Sequence, residues 1–263
     1  MNDSGRPLAL VTGASGGIGA DLARELARHG HDLVLAARGV AAMEALAGEL
    51  RGGGTDVTVI AADLAQPGAA AALVEDMARR GLVVEVLVNN AGLGAAGRFE
   101  RVAATRVQEM LQVNIVALTE LTRLLLPGMI ERRRGRIMLV ASVAGFQPGP
   151  HMAVYFASKA YVLSLGEALA SELRGTGVTV TTLCPGATGT KFFEVAGARN
   201  SLMARRLRRM MDSAEVARQG YRALAAGRDV VITGLGNRLT AMAVRHMPHR
   251  ITLPVTRRLM SEE

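Results

Sequence analysis

Tyr155 and Lys159 stand four residues apart in the run YFASK, and residues at that spacing on a helix share a face. A free tyrosine, with a pKa of ~10, is a poor base near neutrality. An ammonium beside it stabilises the phenolate and draws that value down. A phenol tuned in this way can pass a proton to and from a carbonyl oxygen. Taken alone, the pair also reads as a half-buried tyrosine beside a lysine whose stem packs and whose head reaches water. The residues around the pair decide between the two readings.

TGASGGIG (12–19) follows the first apolar run and opens a helical pattern. Gly13, Gly17 and Gly19 there permit a tight turn, close approach of backbone to a pyrophosphate, and close packing of helix on strand. The helix start offers free N–H groups and the positive end of its dipole to phosphate. The second apolar run ends LVLAARG, with no acid to bind a free ribose 2′-hydroxyl and with Arg38 in its place. The guanidinium fork matches a 2′-phosphate, so NADP(H) is expected over NAD(H). Asp63 ends the third run, where it reaches an adenine amino group or caps a helix. NNAG (89–92) ends the fourth, with Asn90, Ala91 and Gly92 placed to line the adenosine side of a cofactor.

These motifs need a scaffold, and the hydrophobic periodicity supplies one. Strand-like runs at 8–13, 31–38, 56–64, 84–92, 135–142, 178–186 and 229–234 alternate with helical patterns that include 21–30, 39–54, 104–126 and 155–174. Such alternation implies right-handed crossovers and a parallel sheet covered on both faces, with ligands at the carboxyl ends of the strands. The fold class expected is α/β: one Rossmann-type, doubly wound parallel sheet of about seven strands, making a single domain over 1–263. No linker or repeat divides it.

Taken together, TGASGGIG, NNAG, Asn114, Ser142 thirteen residues before Tyr155, YFASK and PGATGT (185–190) resemble the short-chain dehydrogenase/reductase family, over about residues 7 to 234. The loop NNAGLGAAGRFE and the tail VITGLGNRL look most like an NADP-preferring branch related to ketoacyl and hydroxysteroid reductases. The resemblance implies an oxidoreductase acting on CH–OH or C=O groups, with Tyr155 as general acid/base and Lys159 lowering its pKa while holding the nicotinamide ribose. Ser142 would orient and polarise the substrate oxygen, and Asn114 would position a water that carries the proton onward. It further implies that the cofactor meets Gly13, Ser15, Gly17, Ile18, Gly19, Arg38, Asp63, Leu64, Asn90, Ala91, Gly92, Tyr155, Lys159, Pro185, Gly186 and Thr188. Ser15 would join Arg38 near the 2′-phosphate. Many NADP-preferring members carry a second basic residue in the glycine motif, where this chain has Gly16. Family members are often dimers or tetramers formed by helix packing, so a homodimer or homotetramer is expected.

After PGATGT, a lid over the substrate is expected at about 187–211. Its latter part carries Met203, Leu207, Met210 and Met211 on one stripe, with Arg205, Arg206, Arg208 and Arg209 on the other sides. With Phe192 and Phe193 at its start, it suits an apolar carbonyl compound, and it also suits a lid that packs its stripe on the core. The basic tail at about 237–263 reads either as an element touching anionic membrane or as cover for the sheet edge or a partner subunit; Pro248 and Pro254 weigh against one long amphipathic helix.

Composition sets the outer bounds. Aromatic residues are 3 % of the chain and Trp is absent, which argues against base-stacking platforms and a nucleic-acid partner. The lone Cys184 cannot form an intrachain disulfide, which favours a reducing, cytoplasmic location. No secretory signal or spanning segment is visible, since the longest apolar stretches are broken by charge, Gly or Pro. The five histidines show no paired metal-ligand spacing, and the chemistry needs no metal. The net charge of +8 comes mainly from arginine and would serve solubility, a phosphorylated cofactor, an anionic substrate or anionic lipid. A non-catalytic NADP(H)-binding sensor or scaffold is the competing function, though it would not need Tyr155, Lys159, Ser142 and Asn114 together.

Overall fold

The computed structural model describes residues 5–198 and 211–260. Seven strands, β1 (Leu8–Thr12), β2 (Asp32–Ala37), β3 (Val57–Ala61), β4 (Val84–Asn89), β5 (Gly135–Val140), β6 (Val178–Cys184) and β7 (Val230–Ile232), form one parallel sheet ordered β3-β2-β1-β4-β5-β6-β7. The order reverses between β1 and β4, which creates a crevice at the carboxyl ends of those two strands. Each ladder stops one to three residues short of the apolar run that predicts it. The residues left over, such as Gly13, Arg38, Asp63, Gly92 and Ser142, leave the sheet together at that edge.

Helices cover both faces. α1 (Gly17–Arg28), α2 (Val40–Gly52) and α8 (Ser213–Ala225) lie on one; α3 (Ala69–Arg79), α4 (Ala104–Leu111), α5 (Leu118–Glu131) and α6 (Ala153–Glu172) lie on the other. Strand alternation divides the core accordingly. Leu8 and Leu10 of β1 join Leu87, Ile137 and Leu139 beneath α3 to α6, while Ala9 and Val11 join Val86, Val88 and Met138 beneath α1, α2 and α8. Each fully buried leucine there contributes roughly 1.5–3 kcal/mol. Gly166 lets α6 lie close on β6, because a Cβ there would strike the Thr182 hydroxyl.

The expected helix over 104–126 extends to Glu131, with a π-helical turn at Gln112–Ala117 between α4 and α5. This run is the one described helix long and apolar enough to cross a bilayer, with a mean hydropathy of 1.4 over its best window. The expectation that no such segment exists therefore needs correcting. The run nevertheless packs on the sheet, burying Leu118, Leu121 and Met129, and Asn89 Nδ2 donates to Thr122 Oγ1 at 2.9 Å.

Beyond β6, α7 (Phe192–Val195) begins the expected lid; Met203, Leu207, Met210 and the four arginines among them lie outside the described residues. The tail folds as α9 (Leu235–His246) and α10 (His249–Met260). Pro248 separates these helices as expected, but Pro254 sits inside α10 without ending it.

Candidate active site

Strand register brings the motifs to one place. Thr12 lies opposite Ala36, and one residue beyond the Val11–Val88 pairing comes the level of Asn89, which pairs with Leu139, itself paired with Thr182. Gly13, Asn90, Val140 and Leu183 form the next row, and from it the chain turns out into solvent-facing loops. Thr12 ties this edge together. Its hydroxyl donates to the Val88 carbonyl (3.2 Å) and accepts from the N–H groups of Asn90 (3.0 Å) and Ala91 (3.1 Å). Asn90 Nδ2 returns a bond to the Thr12 carbonyl at 2.9 Å. In the sequence Thr12 reads only as the head of the TGASGGIG motif; the signal available for its role was a hydroxyl directly before the first glycine.

The glycine turn is fixed by these contacts. Gly13 has a φ of 66°, and a Cβ there would lie 2.9 Å from the Asn90 amide and the Ala91 Cα. At Gly19 a Cβ would collide with the same amide and with the Gly13 carbonyl. No side chain caps the start of α1, so its first N–H groups remain available to an anion, and Ile18 packs its side chain against the core behind them. Ser15 faces Gly39, 3.4 Å from where a Cβ would stand, which puts it beside Arg38 at the end of β2. This donor set, with its uncapped helix start, fits a dinucleotide cofactor. Arg38 is exposed, and its Nε lies 4.0 Å from Asp63 Oδ1.

Asp63 does not cap a helix, since α3 starts after Gly68. Its Oδ1 instead accepts from Ala65 N at 3.2 Å in the turn after β3. Leu64 turns its side chain into the core, leaving only backbone towards a ligand.

Tyr155, Ser142, Lys159 and Asn114 converge at the ends of β4, β5 and β6. Ser142 follows β5, where its Oγ accepts from Ala144 N (3.1 Å) and donates to the Pro185 carbonyl (3.4 Å). Lys159 is 5 % exposed; its Nζ donates to the Val140 carbonyl at 2.7 Å and lies 5.8 Å from the Tyr155 ring centre. Asn114 occupies the π turn, a distortion frequent at functional sites. Its Oδ1 accepts from Leu93 N (2.8 Å), and its Nδ2 donates to the Leu93 carbonyl (2.9 Å) and to Ser158 Oγ (3.0 Å). Ser158, which sequence reasoning passed over inside YFASK, donates in turn to the Tyr155 carbonyl at 2.7 Å. Asn114 is thus a clamp between the loop after β4 and α6. The points 3.6 Å from its Oδ1 and 3.5 Å from Lys159 Nζ meet over Gly92, where a Cβ would stand.

The electrostatics correct one expectation. Burial of the hydroxyl pushes the Tyr155 phenol up to about 12 against the Ser142 hydroxyl, so desolvation outweighs the draw expected of Lys159. Tyr155 as a residue is half-buried, but desolvation of its hydroxyl dominates. Burial likewise brings Lys159 down to about 8. Cys184, nearby in β6, is pushed up to about 12 by burial and is a core thiol, as its setting beside Pro185 suggests.

An apolar cluster flanks the tyrosine. Tyr155 lies 5.0 Å from Phe192 and 6.1 Å from Phe156, centre to centre, within a cluster that includes Ala144, Met152, Ala196, Ala198 and Met260. Gly94 has room only for hydrogen beneath Phe192. Met260, at the end of α10, went unnoticed in the sequence because nothing there shows that the tail returns to this site. Pro185 and Gly186 follow β6, and Asn237 of α9 fills the space that a side chain at Gly186 would need. Thr188 is buried and donates to the Gly186 carbonyl at 3.0 Å; Thr190 then stands against Gly17.

This combination of sheet, glycine turn and Ser–Tyr–Lys cluster has direct relatives. The short chain dehydrogenase family model matches residues 7–201. The chain belongs to the short chain dehydrogenase family. It is 38 % identical, over 191 residues, to a protein named for ketoacyl reductase 1 of the granaticin polyketide synthase in Streptomyces violaceoruber, covering 72 % of this chain and 70 % of that one. A short-chain dehydrogenase from Sphingobium yanoikuyae, solved in complex with NADPH, is 35 % identical with a TM-score of 0.81, covering 90 % of this chain and 92 % of the other. The bulky-bulky ketone specific alcohol dehydrogenase from Comamonas testosteroni is 33 % identical with a TM-score of 0.77, covering 90 % of each. The protein is accordingly an NAD(P)(H)-dependent oxidoreductase of this family.

Proposed function

We propose that the protein is an NADP(H)-preferring reductase or dehydrogenase acting on an apolar ketone or the matching secondary alcohol, with Tyr155 as its acid–base group. The observation that carries this reading is the place of Tyr155 between Ser142, which hydrogen-bonds its hydroxyl, and an apolar cluster in which Phe192 and Phe156 meet its ring and Met152 and Met260 take part. The similarity to a bulky-ketone alcohol dehydrogenase supports the substrate class, and Arg38 without an acid at β2 supports the cofactor preference.

Bound NADP(H) supplies or accepts the hydride. The chain's own residues do the rest. Ser142 holds the substrate oxygen, its position set by the Pro185 carbonyl and the Ala144 amide. Tyr155 gives a proton to that oxygen or takes one from it. Lys159, anchored to Val140, holds the nicotinamide ribose and faces Asn114 Oδ1 across the space over Gly92, which offers the proton a way out. The uncapped start of α1 takes the pyrophosphate, and Arg38 with Ser15 takes the 2′-phosphate. Phe192 and its neighbours exclude water.

The segment at 187–211 acts as the lid, and the chain works as one domain in a cytoplasmic, reducing setting. Exposed Leu111, Val116, Leu124, Ile130 and Tyr161 on the α4–α6 surface support pairing of two copies there. NADPH oxidation with a panel of bulky apolar ketones tests the function, with NADH alongside. Turnover that disappears in Tyr155→Phe while cofactor binding persists is expected. Tight cofactor binding with no turnover across the panel would instead favour a sensor.

A further inference from the structure

We propose that α9 and α10 form a platform that seats the protein on an anionic bilayer surface, independently of which ketone it reduces. Leu235, Leu239 and Met242 recur at four- and three-residue spacing on α9; Met247, Ile251 and Val255 continue at four-residue spacing into α10. All six are exposed, Leu235 by 78 % and Leu239 by 64 %. Helical geometry places the α9 stripe opposite buried Ala241 and half-buried Val244, and turns Ile251 and Val255 away from buried Thr252, Thr256 and Met260. One face of each helix is therefore used by the fold, and the other presents large apolar side chains to the outside.

Charge selects the occupant. From Val230 to Met260 there is no Asp or Glu, while Arg238, Arg245, Arg250, Arg257 and Arg258 border the apolar stripes; Glu262 and Glu263 follow only at the end of the sequence. Elsewhere many surface arginines have an acid within reach, as Arg24 has Asp21 and Glu49, Arg51 has Glu44, Arg134 has Glu85, and Arg218 has Glu215. Among the described residues, Arg238, Arg245, Arg250 and Arg257 join no ion pair. The basic surface continues beside α9, where Arg222, Arg228 and Arg238 border an open recess of about 520 Å³. A second copy docked here about a two-fold axis would set these arginines against themselves. An anionic membrane satisfies both halves of the surface, its headgroups meeting the arginines and its acyl boundary the Leu, Met, Ile and Val side chains.

Flotation of the full chain with vesicles tests this, using phosphatidylcholine alone and phosphatidylcholine with about one-third phosphatidylglycerol. Binding to the anionic vesicles only, weakened by salt, is expected. An arginine near an anionic leaflet contributes about fivefold, so Arg245→Gln with Arg250→Gln should weaken partition about tenfold or more. Leu239→Ser with Ile251→Ser should weaken it comparably, and because these are exposed positions thermal melting should stay unchanged in both variants. No flotation at low salt, equal flotation with neutral vesicles, or flotation untouched by either variant overturns the proposal. So does a fall in oligomeric state in Leu239→Ser/Ile251→Ser, read by sedimentation velocity, in a protein that does not bind vesicles: the face would then be a subunit contact.

Discussion

Replacing Lys159 with methionine should stabilise the protein while removing its activity. Burial lowers Lys159 from 10.5 to about 8, so at neutral pH the folded chain carries a desolvated ammonium. At about 1.4 kcal/mol for each pH unit, the cost is about 3 kcal/mol. Methionine fills similar space without charge, but it leaves the Val140 carbonyl without its 2.7 Å partner, a loss of about 1 kcal/mol. The net gain of about 2 kcal/mol corresponds to a rise in Tm of about 4–8 °C for a chain of this size. The pH dependence is the sharper test. Below about pH 8 folded and unfolded chains both hold the proton, and the penalty is constant. Between about 8 and 10.5 only the unfolded chain holds it, so wild-type stability rises with pH and the gap to Lys159→Met closes. The Tyr155 phenol works in the opposite sense: raised to about 12, it makes stability fall above pH 10, equally in both proteins, and so cancels from the difference. Thermal melts at pH 7 and pH 10, with turnover measured in parallel, provide the readout. A variant less stable than wild type at pH 7, or a gap that does not narrow by pH 10, refutes the reasoning.

Arg38→Ala should raise the KM for NADPH about tenfold with little change for NADH, as expected for one charge-assisted contact to phosphate. Conversely, Gly16→Arg should widen the preference for NADPH by a similar factor, because Gly16 has extended backbone with nothing within 4 Å of a Cβ; paired Michaelis constants check both. Thr12→Val keeps the shape but leaves the Asn90 and Ala91 N–H groups unpaired, and should cost about 2–4 kcal/mol in urea unfolding. Met260→Ala should loosen the apolar cluster that Tyr155 packs against and shift kcat/KM towards bulkier ketones, which a graded substrate series would reveal.

The sheet was legible because its strands, buried on both faces, are short near-continuous apolar runs, which contrast with the longer, 3.6-spaced apolar patterns of the helices between them. The glycine turn and the Tyr155–Lys159 pair were legible because each depends on spacing within a few residues. Contacts between distant segments were not. Asn114 binding Leu93 and Ser158, Asn237 filling the space over Gly186, and Met260 joining the cluster that Tyr155 packs against bring together parts of the chain whose proximity only the folded topology creates. The π turn was hidden for another reason: Gln112–Ala117 has ordinary helical composition, and nothing in it marks the extra residue. The ionisation of Tyr155 was misread because charge proximity can be read from spacing, whereas desolvation depends on everything packed around the hydroxyl.

That desolvation bears on direction. A phenol held at about 12 carries its proton throughout the neutral range, which is the form required to deliver a proton to an oxygen gaining charge as a carbonyl is reduced. Oxidation of an alcohol calls for the phenolate. The chain offers that species little help, since Lys159 is itself brought down to about 8 and its Nζ is committed to the Val140 carbonyl. Additional positive charge beside Tyr155 would be needed, and the cationic ring of an oxidised cofactor is a source that is present only in the oxidative direction. The apolar side chains packed around Tyr155 thus hold its phenol in the proton-donating form, and the burial that does so comes from the same cluster that includes Phe156 and Phe192.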